Sequence, residues 1–220
     1  MREVRTSAKL KDRLLRNWSD MTAVEGNLIA AAGPSVRTLM VVSASAGEGR
    51  SSAAACLGLS LSANGRTLLI DGHLRKPDLS SRLVTPGMPG LSEVVLDGMD
   101  VAGAVYPAAD ADNLFVLPAG QRLAGPAAMF HSSSFIRLMS HLRQDWDHVV
   151  CDTPPLLAES DAALMAAQFD AAVLVLSCGD SRWEVAQVVA ERLDAAGGRL
   201  IGAVLNRRRY HVPQVVYRRL

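Results

Sequence analysis

The 220-residue chain alternates short, uninterrupted apolar runs with longer segments of helical periodicity. Runs near 38–43, 67–71, 114–117, 148–151, 171–176 and 200–205 predict strands. Their hydrophobicity is continuous rather than alternating, as expected of a sheet covered on both faces. Helices are predicted over 52–63, 91–96, 133–143, 161–167 and 181–196, so strand and helix alternate as right-handed crossovers require. Ahead of the first strand, Met21, Val24, Leu28 and Ile29 share one helical face within 19–31, and Gly33-Pro34 ends that segment. The expected fold is α/β, a parallel sheet with helices on both faces. It comprises one domain over 37–206, a basic segment and helix over 1–36, and a basic tail over 207–220. Glycine and proline cluster at 86–90 and 118–126, which places loops there, near the sheet edge that would carry a ligand. The chain contains no internal repeat and no low-complexity segment.

The first strand runs into a small-residue turn and then an alanine-rich helix, LMVVSASAGEGRSS over 39–52. This is the strand, glycine loop and helix order of a phosphate-binding loop. Gly47 and Gly49 remove side chains where backbone must curl round an anion, and the amides from Gly47 through Glu48, Gly49, Arg50, Ser51 and Ser52 would face it at a helix N-terminus. Ser51 would offer its hydroxyl to magnesium. Against G-x-x-x-x-G-K-[ST], Ala44 stands at the first glycine and Arg50 at the lysine, so two of four keyed positions depart. Arginine keeps the charge, but its wide planar fork loses the fit of a compact ammonium that bends over the β- and γ-phosphates. An ordinary strand-to-helix connection is the alternative reading of this loop taken alone.

Two further apolar strands finish in a carboxylate, LLID at Asp71 and HVVCD at Asp152. Acids in this order behind a phosphate loop suit Mg-ATP over the C-terminal sheet edge, although each would also serve as a helix cap.

On these and further motifs the chain resembles the bacterial tyrosine kinase (BY-kinase) family, cytoplasmic P-loop kinases of capsule and exopolysaccharide assembly. The resemblance covers Leu39 to Asn206. It rests on GEGRSS, LLIDGHLRKPDL, PGLSEVVLDG at 89–98, LPAG at 117–120, DTPPLLAESDA at 152–162 and GAVLN at 202–206. It implies a P-loop NTPase fold like that of the MinD and ParA group, and ATP or ADP with Mg2+ as cofactor. By the same resemblance, a loop lysine supplies charge to phosphate, a D-x-D pair follows the second strand, and the DTPP aspartate handles metal and water. Asp71 and Asp152 match and would hold the metal with Ser51. Arg50 replaces the lysine and His73 the second acid. Magnesium prefers oxygen to imidazole nitrogen, so its affinity is expected to fall. His73 has an ordinary pKa suited to a base, with a surface loop histidine as the alternative. Phosphoryl transfer depends on positioning and electrostatics, and both exchanges strike those terms. Asn206 stands where such relatives hydrogen-bond adenine, or else simply forms a turn. An E-x-x-R-x-x-R ring motif would fall on Ser19, Thr22 and Glu25, and none matches. Tyr210 and Tyr217 are the candidate phosphoacceptors of a tail usually dense in tyrosine; membrane-facing aromatics or packing are the alternative, and Tyr106 lies far away in sequence.

At 49% hydrophobic and 5% aromatic, 220 residues suffice for one well-buried domain and not comfortably for two. Cys56, Cys151 and Cys178 lie in apolar contexts without C-x-x-C spacing and read as reduced core thiols. The absence of a ~20-residue apolar run or a cleavable leader predicts a cytoplasmic protein. The net charge of +1 hides a division. Residues 1–16 carry six basic and two acidic side chains and 207–220 carry five basic and none acidic, which leaves the body at −8. Basic ends would favour an anionic inner-membrane surface by roughly 1 kcal/mol per cation, with solvated tails as the plainer alternative. An acidic body without aromatic platforms disfavours nucleic acid.

Three functions are therefore weighed. The first is a pseudokinase or weakly active regulator docked on the cytoplasmic end of a membrane polysaccharide co-polymerase. The second is an active tyrosine autokinase in which Arg50 substitutes for lysine and a neighbouring copy completes the acids. The third is a MinD/ParA-like positioning ATPase, which expects a second lysine where Ser45 stands.

Overall fold

The protein, seen in a computed structural model, is described over residues 35–207 apart from 85, 86, 109 and 110, together with 26, 27, 31 and 33. Of the expected helix over 19–31 only 26, 27 and 31 are described, all helical; the three ring-motif positions, the basic segment 1–16, the basic tail after Arg207, and Tyr210 and Tyr217 lie outside the described residues.

Among the described residues seven strands form one sheet: β1 Thr38–Ser43, β2 Thr67–Asp71, β3 Tyr106–Pro107, β4 Leu114–Leu117, β5 His148–Asp152, β6 Ala171–Ser177 and β7 Leu200–Asn206. Their spatial order is β3-β4-β2-β5-β1-β6-β7. All neighbours are parallel except β3, which runs antiparallel to β4. That edge ribbon adds one short antiparallel pair to the expected parallel sheet. Two residues are too few to register as an apolar run, and Pro107, which lacks an amide donor, is tolerated at an edge.

Seven α-helices are present among the described residues: α1 Arg50–Leu61, α2 Asp78–Leu83, α3 Leu91–Leu96, α4 Ala127–Phe130, α5 Ser133–Asp145, α6 Asp161–Ala166 and α7 Trp183–Ala195. Neither α2 nor α4 was expected. The start of α7 falls at Trp183 rather than Ser181, whose hydroxyl is spent accepting the Ser177 amide at 2.9 Å.

The alternating pleat divides each strand between two cores. Met40, Val42, Leu68, Ile70, Val149, Cys151 and Leu174 face one layer with Leu91, Phe135, Met139, Met165 and Leu193, from α3, α5, α6 and α7. Leu39, Val41, Leu69, Val150 and Val173 face the other, under Ala54, Leu57 and Leu61 of α1 and Leu79 and Leu83 of α2. Coverage fails at β7, where Leu205 is 66% exposed beyond the reach of α1. Cys56 and Cys151 are buried thiols, whereas Cys178, one residue past β6, is exposed. This corrects the core reading of that residue, since the chain has already left the sheet there. No helix among the described residues is long and apolar enough to cross a membrane.

The loops over 87–90 and 118–126 are locked together at the C-terminal edge. Leu91 and Ser92 amides donate to Pro118 and Ala119 carbonyls at 2.8 and 3.1 Å. A Cβ on Gly90 would lie 2.1 Å from the Pro118 carbonyl oxygen, so only glycine permits this approach. Gly90→Ala is expected to destabilise the fold by about 1–3 kcal/mol through forced separation of α3 from β4. Urea unfolding measures this.

Candidate functional site

β1 delivers the chain to the loop 44–49 at the C-terminal edge, and α1 carries it back beneath the sheet. Gly47 and Gly49 take φ of +86° and +94°, a region closed to most side chains. α1 begins without a side-chain cap, which leaves its leading N–H groups for an anion. The loop is held from behind by β7. Asn206 donates its amide to the Glu48 carbonyl at 2.8 Å, and a Cβ on Gly49 would lie 1.9 Å from the same nitrogen. Asn206 Oδ1 meanwhile accepts the Arg207 amide at 2.9 Å. The amide nitrogen of the expected adenine reader thus fastens the loop, and its oxygen is taken by its own chain neighbour. Glu48 is also turned into the loop's own frame. Its carboxylate accepts the Ser45 amide at 2.9 Å and the Ser181 hydroxyl, tying the loop to the turn after β6.

Above the loop lies a cavity of about 260 Å³ that Gly47, Gly49, Arg50, Ser51 and Ser52 line from one side. Lys76, Asp78, Arg82 and Arg207 line it from the other. Arg82 pairs with Asp78 at 2.7 Å, so the lining is cationic on balance.

Arg50 does not extend over the loop. Its guanidinium is buried and turned back to the strand ends, where Nε donates to Asp152 Oδ1 at 2.7 Å. One terminal nitrogen donates to Ser43 Oγ at 3.2 Å, and the other meets His73 Nδ1 at 3.5 Å. β2 and β5 pair with Asp71 opposite Asp152, which brings the two expected acids side by side. Asp71 is fully buried and its oxygens are taken. Oδ2 accepts both the Ser80 amide and hydroxyl at 2.7 Å, and Oδ1 accepts the His73 amide at 3.1 Å. Asp152 Oδ2 is buried without a partner among the described residues.

Burial, and then the charge of Asp152, push the Asp71 carboxyl up to about 7 despite its three donors. Burial holds His73 below its ordinary value; Glu159 pulls it upward, while Arg50 pushes it down further. A neutral imidazole makes the contacts consistent. Nε2–H donates to Glu159 Oε1 at 3.1 Å, which leaves the Nδ1 lone pair facing Arg50. The nominal His73–Glu159 ion pair is then a hydrogen bond to a carboxylate rather than a pair of charges. Glu159 lies 3.5 Å from Arg75, whose Nε reaches Asp161 at 2.6 Å. A continuous chain therefore runs Asp152, Arg50, His73, Glu159, Arg75, Asp161.

Ser43, Ser80, Glu159, Arg75 and Asp161 were not expected from the sequence. Glu159 and Asp161 sit inside the DTPPLLAESDA segment and Arg75 inside LRKP, so their place in marked motifs was the available signal.

A polyphosphate fits this site, with its glycine loop, uncapped helix start and cationic cavity. Magnesium does not. Asp152 Oδ1 is occupied by the guanidinium, and both Asp71 oxygens already accept hydrogen bonds. Among the described residues no cluster of three histidine, cysteine or acidic side chains has metal-binding geometry. Arg50 already neutralises Asp152, so a dication on Oδ2 would have a guanidinium beside it that offsets part of the carboxylate's attraction.

No family model matches the chain. It is 34% identical over 172 residues to "Tyrosine-protein kinase YwqD" of Bacillus subtilis, covering 78% of this chain and 72% of the relative. Among solved structures it superimposes on the kinase domain of VpsO with a TM-score of 0.83 at 31% identity, covering 93% of this chain and 100% of that one. The septum site-determining protein MinD from Pyrococcus horikoshii, solved with Mg-ADP, gives a TM-score of 0.66 at 22% identity over 83% of this chain and 76% of that one. That likeness is one of fold alone.

A carboxyl whose pKa is raised by folding, from 3.8 to about 7, holds its proton more tightly in the fold than in the unfolded chain. The stabilisation is complete below about pH 4 and lost as pH rises through about 7. Unfolding free energy is expected to fall across that window in the wild type and to change less in Asp71→Asn, as measured by urea titrations at pH 5 and pH 8.

Proposed function

The chain belongs to the family of bacterial tyrosine-protein kinases, and from that premise we propose that it is a pseudokinase, or at most a weakly active kinase, that acts as a regulatory subunit in exopolysaccharide export. The observation that carries this reading is the inward turn of Arg50 onto Asp152 at 2.7 Å. In this arrangement the cation expected over the phosphates neutralises instead the acid expected to hold metal.

Each residue then has a role short of catalysis. Gly47, Gly49, Ser51 and Ser52 cradle the phosphates of ATP or ADP. Glu48 and Asn206 fix the loop through the turn after β6 and the end of β7. Magnesium, when bound in an active P-loop kinase, neutralises charge developing on the transferred phosphoryl group. Asp71 and His73 support no comparable step here, because their polar atoms are committed to Ser80, Arg50 and Glu159, and Asp152 keeps only Oδ2 outside its pair with Arg50. Neutral His73, hydrogen-bonded through both nitrogens, is poorly placed to take a proton from a tyrosine hydroxyl.

The partner is the cytoplasmic end of a membrane polysaccharide co-polymerase, at the inner membrane, with self-association as a second contact. The basic ends at 1–16 and 207–220 suit that surface. The protein itself would be cytoplasmic and peripheral to the membrane. Ser45, whose amide is bonded to Glu48, stands where a positioning ATPase of the MinD and ParA group carries its second lysine, which weighs against that alternative.

Purified protein incubated with Mg-ATP is expected to form phosphotyrosine at least about a hundredfold more slowly than the Arg50→Lys, His73→Asp double variant, the scale of removing one preorganised electrostatic donor. Immunoblotting and mass spectrometry of the tail read this out. Phosphate on Tyr210 or Tyr217 of the wild type at ordinary kinase rates, lost in Asp152→Ala, would establish the active autokinase instead.

A further inference from the structure

We propose that Arg50 is a built-in cation that takes the place of the divalent ion against Asp152, so that the loop binds nucleoside di- and triphosphates in their metal-free form. This rests on the nucleotide-binding reading above and states which species the site selects.

Three observations carry it. The guanidinium occupies the acid at hydrogen-bond distance in a buried setting, 8% exposed against 0% for Asp152. It is fixed there by two further contacts, Ser43 Oγ at 3.2 Å and His73 Nδ1 at 3.5 Å, so it is positioned and not merely nearby. The cavity that remains, about 260 Å³, presents Lys76, Arg82 and Arg207 around the loop, with Asp78 as its one acidic residue and that one paired.

The charge balance of such a cavity suits a bare polyphosphate, which carries more negative charge than its magnesium complex. Arg50 lines the same cavity while bonded to Asp152, so it contributes its remaining N–H edge without leaving the carboxylate. The magnesium complex brings a second cation to a carboxylate that already has one. Its entry requires either displacing Arg50 or accepting the repulsion, against a gain limited to Ser51 Oγ and Asp152 Oδ2. In a lysine loop the acid is left to the metal; here the exchange to arginine closes that place.

The test is calorimetric titration of the full chain with ADP and with ATP, in EDTA and in excess magnesium, for wild type, Arg50→Lys and Asp152→Asn, each checked by thermal melting. Wild type is expected to bind the free nucleotide at least as tightly as the magnesium complex. Arg50→Lys is expected to prefer the magnesium complex by about tenfold, a difference of about 1.4 kcal/mol. Asp152→Asn, which frees the guanidinium for phosphate, is expected to tighten metal-free binding and decides the matter should Arg50→Lys not fold. Wild-type binding tenfold or more weaker in EDTA overturns the proposal, as does binding of neither form or a metal preference unchanged by both substitutions. Phosphotyrosine formation in the same samples would overturn the pseudokinase reading separately, because the titration in EDTA contains no reaction.

Discussion

A buried ion pair between Arg50 and Asp152 sets the state of everything around it. Taking a guanidinium and a carboxylate out of water costs several kcal/mol each, and the pair is worth keeping only when geometry is good and the remaining polar atoms are bonded. The guanidinium meets both conditions, with all three of its nitrogens engaged. The carboxylate meets one, because Oδ2 is left without a partner among the described residues. The pair is therefore held by the frame around it as much as by its own attraction. Removing either member alone would leave an uncompensated charge in the interior, at a cost of about 3–5 kcal/mol.

That frame is a consequence of sheet topology. The order places β1 between β5 and β6, and β2 on the far side of β5, so the loop after β1 opens beside the carboxyl ends of β5 and β2. Asp71 and Asp152 face each other there by register, and burial together with the charge of Asp152 pushes the Asp71 carboxyl up. The neutral His73 then fits where a third carboxylate would add to the crowding. A guanidinium reaching inward and an imidazole replacing an acid thus compensate one another within one hydrogen-bonded chain. The loop itself is fastened by contacts at its back, Glu48 to Ser45 and Ser181, and Asn206 to Glu48, which do not involve a ligand.

Much of this fold could be read from the chain because its signals are local. The apolar runs located six strands within a residue or two, and the GEGRSS turn located the loop, since strand continuity and glycine placement need no knowledge of distant residues. What escaped was decided by tertiary partners. The direction of Arg50 depends on a residue 102 positions away, and the bonds of Ser80 to Asp71 and of Glu159 to His73 depend on strand register and a loop crossing. The two-residue β3 and the exposure of Cys178 escaped for the opposite reason, being too short or too near a strand end for periodicity to resolve. The exchange at position 50 was visible as chemistry, and its physical effect only as geometry.

The central claim is that Arg50 and Asp152 act as one unit in the folded protein without ligand. A double-mutant cycle on unfolding free energy, Arg50→Met, Asp152→Leu and both together, tests this most directly because it isolates the pairwise term. The account predicts a coupling of about 1–3 kcal/mol, with the double variant less destabilised than the two single changes added. Additivity within about 0.3–0.5 kcal/mol would contradict it, meaning that the guanidinium and the carboxylate do not depend on one another.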